Sequence, residues 1–197
     1  FENYGKQRPG LTQTQASMLN RYYTDAFGAT YQARNVDALE NPVGLLTPLS
    51  TKSRLLQYDF IAGSSYEVGA KDNLTNLNNG TDYAAAHSRY HDEIRQFLND
   101  FGYYYYDIFI ADPQTGDIVY SVYKELDYAT SLRTGPYASS GIGEAFALAT
   151  QVQNAGEVVV SKLSTYLPSY DALAGFLATP VTNASGQRIA ILIFQIP

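Results

Sequence analysis

The sequence predicts an α+β protein in which a long N-terminal helix packs on a five-stranded antiparallel sheet. In the first half of the chain, apolar residues recur at spacings of three and four, as on the buried face of a helix. From Tyr103 onward, apolar residues occur in short runs separated by turn residues, which is typical of strands. We therefore expect a helical region with loops over residues 1–102 and a sheet over residues 103–197, both parts of one module.

The composition limits the classes of protein to which the chain can belong. Its 197 residues are 45% hydrophobic and 16% charged, which is enough apolar material for one folded domain. With 13 Lys and Arg, no basic run and a net charge of -6, a nucleic-acid partner is disfavoured. The absence of Cys excludes disulfides and thiolate nucleophiles. No apolar run is long enough to span a membrane, and the first residue is Phe, so we expect a fragment whose membrane anchors lie outside it.

The first predicted helix covers residues 11–33. Thr12 or Thr14 can cap its start, because a hydroxyl oxygen accepts a hydrogen bond from a backbone N–H of the first turn. We expect one stripe of this helix to pack on the sheet. The stripe comprises Leu19, Tyr22, Tyr23, Ala26, Phe27, Thr30 and Tyr31.

Turn-forming residues are frequent between this helix and the next one. Residues 35–53 and 63–82 predict loops or short turns, because Pro, Gly, Asn and Ser recur there. The segment 54–62 is compatible with either a short helix or a strand. A second helix is predicted to start near Asp82 and to end at Gly102, since glycine readily closes a helix.

The second half of the chain predicts strands joined by turns. Residues 112–116 have the Asp, Pro and Gly of a hairpin turn. Residues 141–153 predict a helix, with Ser139 or Ser140 at its cap. The predicted strands cover residues 104–111, 117–123, 157–163, 172–181 and 188–195.

Two histidines, His87 and His91, are four residues apart on the second helix, a spacing compatible with a metal ion. The chain has no other His, so a third ligand would have to be a carboxylate such as Asp59 or Asp92. The alternative is that both histidines form hydrogen bonds to the loop of residues 54–72. A metal-dependent hydrolase is therefore a distant alternative function.

Motifs for catalysis and for phosphate binding are missing from the sequence. Neither Gly-x-Ser-x-Gly nor a glycine-rich phosphate loop occurs. Several carboxylates that would be needed for an acid pair lie in or beside turns, where Asp is common for structural reasons. We therefore expect no enzymatic activity and no cofactor.

Several sequence segments resemble, in their order, one family of sensor domains. The segments are 56–62 (LQYDFIA), 69–72 (GAKD), 83–91 (YAAAHSRYH), 97–102 (FLNDFG), 106–112 (YDIFIAD), 116–125 (GDIVYSVYKE), 127–132 (DYATSL), 135–141 (GPYASSG) and 194–197 (FQIP). Together they resemble the membrane-distal half of a double Cache domain, which has a PAS-like sheet. The resemblance covers roughly residues 54–197, and it is specific for the family but not for a ligand.

The resemblance implies the periplasmic sensor domain of a bacterial inner-membrane receptor, such as a chemoreceptor (a methyl-accepting chemotaxis protein), a sensor histidine kinase or a cyclase. Such a receptor would be a homodimer anchored in the membrane by segments outside this chain. It would bind a small molecule and transmit a conformational signal. The Arg-x-Trp-Tyr motif of amino-acid-binding Cache domains is absent, because the chain has no Trp.

The connection of residues 124–139 would form one wall of the ligand pocket in such a fold. Lys124 or Arg133 would hold a small carboxylate, and Arg133 would do so in bidentate fashion. The predicted ligand-binding residues are Tyr120, Lys124, Asp127, Tyr128, Arg133, Tyr137, Tyr166 and Phe176. The main alternative is a ligand-free scaffold, in which Leu19, Tyr22 and Phe27 lie across a dimer axis.

Overall fold

A computed structural model gives an α+β architecture with several helices and one six-stranded antiparallel sheet. The structure describes residues 1–101, 104–154 and 156–197. The sequence predicts that the second helix ends at Gly102 and that the helical region meets the sheet region there. Gly102 lies outside the described residues. Among those residues, no helix combines the length and the apolar character that a bilayer-spanning helix needs.

The described residues form two compact units. The helical unit contains residues 1–95 and 123–126. The sheet unit contains residues 96–122 and 127–197. The chain therefore passes from one unit to the other at three points in the sequence.

The α-helices of the chain are α1 (Tyr4–Gln7), α2 (Gln13–Arg21), α3 (Gly28–Arg34), α4 (Thr51–Gln57), α5 (Asp82–Phe101) and α6 (Gly141–Ala149). Two π-helical stretches, Tyr22–Phe27 and Tyr58–Ala62, follow directly on α2 and α4. Short 3-10 turns occur at Pro42–Leu46, Lys71–Asn73 and Leu167–Ser169. The last turns of α5 belong to the sheet unit.

The predicted helix over residues 11–33 is helical from Gln13 to Arg34, but it is not one regular α-helix. Thr12 caps its start: its hydroxyl accepts from the backbone N–H of Gln15, and the Gln15 side chain accepts from the Thr12 N–H. A π-helical stretch then separates α2 from α3. Residues spaced by four drift around a regular α-helix, because such a helix has 3.6 residues per turn. The wider turn of the π-helical stretch offsets this drift, so Tyr23 and Phe27 are both buried.

The segment for which the sequence left helix and strand open is helical. Helix α4 starts three residues before it, and the hydroxyl of Ser50 caps α4 by accepting from the Ser53 N–H. Leu55, Leu56 and Phe60 are almost fully buried, and this all-round burial removes the amphipathic pattern that would have identified a helix.

The sheet consists of β1 (Asp107–Ala111), β2 (Ile118–Ser121), β3 (Val159–Val160), β4 (Ser164–Tyr166), β5 (Ala172–Thr182) and β6 (Arg188–Ile196). Its strand order is β2-β1-β6-β5-β3, and β4 also pairs with β5. Every pair is antiparallel. The predicted strand positions are therefore largely confirmed, although β1 starts at Asp107 instead of Tyr104.

The prediction of five strands is wrong, because the third predicted strand is divided into β3 and β4. Ser161 lies between the two pieces. Its backbone N–H donates to the Phe176 carbonyl at 2.9 Å, while its hydroxyl accepts from the Phe176 N–H at 3.0 Å. The side chain thus takes the place of a backbone acceptor, and the regular ladder stops there.

Candidate ligand-binding site

The structure buries seven of the eight predicted ligand-binding residues and leaves Arg133 exposed. Lys124 belongs to the helical unit, whereas the other seven belong to the sheet unit. Within the sheet unit, four of them are linked by direct contacts or lie next to each other in sequence. These are Asp127, Tyr128, Tyr166 and Phe176, and Tyr137 joins them through its ring.

Asp127 starts a tight turn that follows β2. Its carbonyl oxygen accepts from both the backbone N–H and the hydroxyl of Thr130, at 3.0 and 2.7 Å. Ala129 has a left-handed φ of 63°, and its N–H donates to the Ile118 carbonyl. Ile118 therefore accepts from the Ala129 N–H and donates its own N–H to the Thr130 carbonyl. These two backbone bonds fix the turn against β2 and hold the Asp127 side chain in position.

The carboxylate of Asp127 is fully buried and only partly satisfied. The Tyr166 hydroxyl donates to Oδ2 at 2.5 Å, whereas Oδ1 is buried without a hydrogen-bond partner among the described residues. Burial raises the pKa of Asp127 to about 6. The Tyr166 hydroxyl and the nearby backbone N–H groups of Asp127 and Tyr128 act in the opposite direction, but they do not offset the loss of hydration.

Aromatic rings pack against Tyr166, the donor to this carboxylate. The ring of Tyr166 packs edge-to-face against Tyr137 at 6.0 Å and against Phe176 at 5.0 Å between centroids. Phe176 contacts Phe109 of β1, on the same face of the sheet, at 6.4 Å between ring centroids. A buried acid with a free acceptor atom among aromatic rings suits a group that donates hydrogen bonds or carries positive charge.

Tyr120 does not join this cluster. It pairs with Ile110 across β1 and β2, and Ile110 pairs with Leu192 on β6. Side chains alternate between the two faces of a sheet, so Tyr120 lies on the face opposite to Phe109 and Phe176. The sequence could not predict this, because the face depends on the register, which shifts between Ile110 and Ala111.

Arg133, the predicted carboxylate ligand, is held by other groups. Its Nη2 donates to the Pro113 carbonyl at 2.9 Å, and its guanidinium lies 5.2 Å from the centre of the Phe146 ring. It lines a surface cleft of about 330 Å³ together with residues of α6. Neither contact connects it to Asp127, so the two predicted charged ligands of the sheet unit do not form one site.

Lys124 lies in the helical unit beside the two histidines. Its Nζ is 3.5 Å from Nδ1 of His91, and the opposite ring nitrogen of His91, Nε2, donates to the Asp72 carbonyl at 2.7 Å. The predicted hydrogen bond to the loop of residues 54–72 is thus confirmed for His91. His87 stacks on His91 at 4.4 Å and contacts Phe60 at 5.0 Å.

Burial and the Lys124 charge lower the pKa of both histidines, that of His91 to about 4 and that of His87 further. The described part of the chain contains no group of three His, Cys, Asp or Glu side chains arranged to hold a metal ion. Asp59, considered as a third ligand, instead accepts from Tyr4 at 2.6 Å and from both Nε and Nη2 of Arg8 at 3.0 Å.

Sequence reasoning missed a second cleft, which lies in the helical unit. It has a volume of about 300 Å³ and contains Arg54. The sequence does not decide between a helix and a strand for residues 54–62, so it cannot place Arg54 on a particular face of either element. Recognising the Ser50 cap would have placed a helix there and grouped Arg54 with Thr51 on consecutive turns.

The chain matches no protein-family model, and a comparison with curated proteins gives no significant match.

Proposed function

We propose that the chain is the extracytoplasmic sensor domain of a bacterial membrane receptor, a chemoreceptor or a sensor kinase, with a PAS-like Cache fold. The antiparallel strand order β2-β1-β6-β5-β3 supports this proposal, as does the connection between β2 and α6 that carries Asp127. In this proposal the domain lies in the periplasm, and other segments of the receptor anchor it in the membrane. The receptor acts as a homodimer. The domain binds a ligand and does not turn it over.

The single observation that carries a ligand-binding role is the free Oδ1 atom of buried Asp127. A buried acceptor without a partner costs about 1–3 kcal/mol, and a ligand, an ion or a water molecule can complete such a group. A ligand with an N–H or ammonium group would supply the missing donor and the missing counter-charge. The rings of Tyr137, Tyr166 and Phe176 would contact its apolar part or its cation.

This proposal changes the expected ligand class from a small carboxylate to a small amine. A carboxylate ligand would meet the negative charge of Asp127, and burial makes that repulsion stronger than in water. Arg133, which was expected to neutralise a carboxylate, is exposed and bonded to Pro113. The buried cluster therefore carries a negative charge, whereas an anionic ligand needs a positive one.

Signal transmission in this proposal follows from differential affinity. The turn that starts at Asp127 is bonded to Ile118 of β2, so a ligand that pulls on Asp127 acts on the edge of the sheet. A ligand shifts a conformational equilibrium only to the extent that it binds one state better than the other. An amine that completes Asp127 would stabilise the conformation in which the turn is packed on β2.

The test is a thermal-shift screen with small amines, matched alcohols and matched carboxylates, followed by calorimetry on the compounds that stabilise the protein. We expect stabilisation by at least one amine, and no stabilisation by its carboxylate analogue that depends on Asp127. In Asp127→Asn the affinity should fall at least tenfold, whereas Asp100→Asn, an exposed acid on α5, should leave it unchanged. Binding only of carboxylates, or amine binding that survives Asp127→Asn, would contradict the proposal.

The ligand-free scaffold is less well supported. The stripe expected at a dimer axis includes Leu19 and Phe27, and both are 1–2% exposed within the single chain. Side chains that are already buried cannot supply apolar area to a dimer. A dimer would have to use a different surface.

A further inference from the structure

The cleft of the helical unit lies between α2 with the residues just before it, the 3-10 turn at Pro42–Leu46 and α4. Its volume of about 300 Å³ is at the lower end of the range for small-molecule pockets. Leu11, Leu19 and Leu46 give it an apolar wall, and Asn20 and Thr51 lie at its exposed side. The cleft therefore has an apolar part and a polar part, as small-molecule sites do.

Arg54 is the only charged residue of this lining. Its Nη2 donates to the carbonyls of Leu46 and Thr47 at 2.8 and 3.4 Å. Within the described residues, no acceptor is bonded to Nη1 or to the buried Nε, and no carboxylate lies at ion-pair distance. Arg54 is thus a half-buried cation that is anchored on one side and unpaired on the other.

We propose that this cleft binds a small monocarboxylate with a compact apolar body, as a second ligand site separate from Asp127. The carboxylate accepts from Nη1 of Arg54, and the apolar body covers Leu11, Leu19 and Leu46. An Arg–carboxylate hydrogen bond is charge-assisted and stronger than a neutral one, and the apolar wall excludes water from it. No acid lines the cleft to compete for the guanidinium.

A purely structural role for Arg54 makes a different prediction. If Arg54 only ties α4 to the turn at Leu46, its two carbonyl bonds complete its function and the cleft is indifferent to charge. A carboxylate and an alcohol of the same shape would then bind equally weakly. The comparison of charged and neutral probes separates the two roles.

The experiment is an NMR titration of the isotope-labelled protein with benzoate, benzyl alcohol and benzylammonium. We expect saturable shifts of the amides of Leu11, Ala16, Leu46 and Thr51 with benzoate, and at least tenfold weaker effects with the other two probes. Arg54→Gln should weaken benzoate binding at least tenfold. Arg21→Gln, which removes an exposed charge at the end of α2, should leave it unchanged.

A second variant keeps the test decisive if Arg54→Gln does not fold. Ala16→Leu adds side-chain volume inside the cleft and leaves Arg54 and its carbonyl bonds in place. We expect this variant to fold and to lose benzoate binding. Equal binding of benzoate and benzyl alcohol, no saturable benzoate binding by the wild-type protein, or full binding by Ala16→Leu would each overturn the proposal.

Discussion

The hydroxyl of Tyr166 lies 2.5 Å from Oδ2 of Asp127, and both side chains are shielded from solvent. The two residues are 39 positions apart, so this bond joins the turn after β2 to β4. It is the only hydrogen bond that a described side chain donates to this carboxylate. It therefore contributes to the position of the acid and, against the effect of burial, lowers its pKa.

Tyr166→Phe removes that donor and keeps the ring. Because the hydroxyl favours the ionised form, we expect the pKa of Asp127 to rise above its value of about 6. The loss should also cost about 1–3 kcal/mol of stability near neutral pH, since a buried carboxylate loses its partner. Carbon-detected NMR titration and urea unfolding measure the two effects. Tyr106→Phe, at an exposed tyrosine, is the control, and an unchanged Asp127 pKa would refute the assignment.

Asp127 should make the protein less stable as the pH rises from 4 to 7. Its folded-state pKa is about 6 against an ordinary value of 3.8 for aspartate, so between these values the folded state binds more protons than the unfolded state. The difference corresponds to about 3 kcal/mol, which is present below pH 4 and lost above pH 6. Asp127→Asn should remove this dependence.

The measurement is the difference in unfolding free energy between the wild-type protein and Asp127→Asn at each pH. This difference cancels contributions from other titrating groups, including the histidines. Relative to the variant, the wild-type protein should lose stability as the pH increases through this range. A flat difference curve would show that Asp127 does not titrate as described.

His87 and His91 should stay neutral well below the usual pKa of histidine. Burial and Lys124 lower both values, that of His91 to about 4, so the folded state binds fewer protons than the unfolded state. Their contribution to stability is therefore complete above pH 6.5 and is lost as the pH falls towards 4. Proton NMR of the imidazole rings tests this directly, since the chain has 2 His. A ring that titrates near pH 6.5 in the folded protein would contradict the burial of this pair.

Gly143→Ala should be strongly destabilising. A Cβ at this position would lie 2.1 Å from the Ala138 carbonyl oxygen and 2.8 Å from that of Tyr137, and backbone atoms cannot give way as a flexible side chain can. We expect the free energy of unfolding, measured by thermal or urea denaturation, to fall by about 1–3 kcal/mol or more. Gly5→Ala is the matched control, because a Cβ there meets nothing within 4 Å and alanine favours α1.

The sequence predicts the change from helices to strands because the apolar pattern changes at a defined point. Before it, apolar residues are spaced by three and four, and after it they occur in short runs. It predicted the hairpin after β1 because Asp112 and Gly116 are typical turn residues. Asp112 accepts from two backbone N–H groups of the turn, and Gly116 has a φ of 74°. These signals are local, and local signals are present in a single sequence.

The features that were missed depend on contacts distant in sequence. Ser161 divides a strand because its hydroxyl reaches Phe176. Tyr120 lies on the other face because of a register shift in β1. Arg133 was expected in the pocket, but the Pro113 carbonyl and the Phe146 ring hold it at the surface. In the candidate site, the contacts of Tyr166 with Asp127, Tyr137 and Phe176 link four of the predicted ligand-binding residues, whereas the free Oδ1 atom could not be inferred from the sequence.

The two compact units are interleaved along the polypeptide, since residues 123–126 belong to the helical unit while both flanking segments belong to the sheet unit. A single cut after residue 95 therefore keeps all residues of the sheet unit in one fragment, but no single cut can yield the helical unit intact. Truncation at residue 95 would leave the helical unit without four of its residues, among them Lys124 beside His91. Exchange of the helical unit by recombination at one point would for the same reason leave residues 123–126 behind in the other fragment.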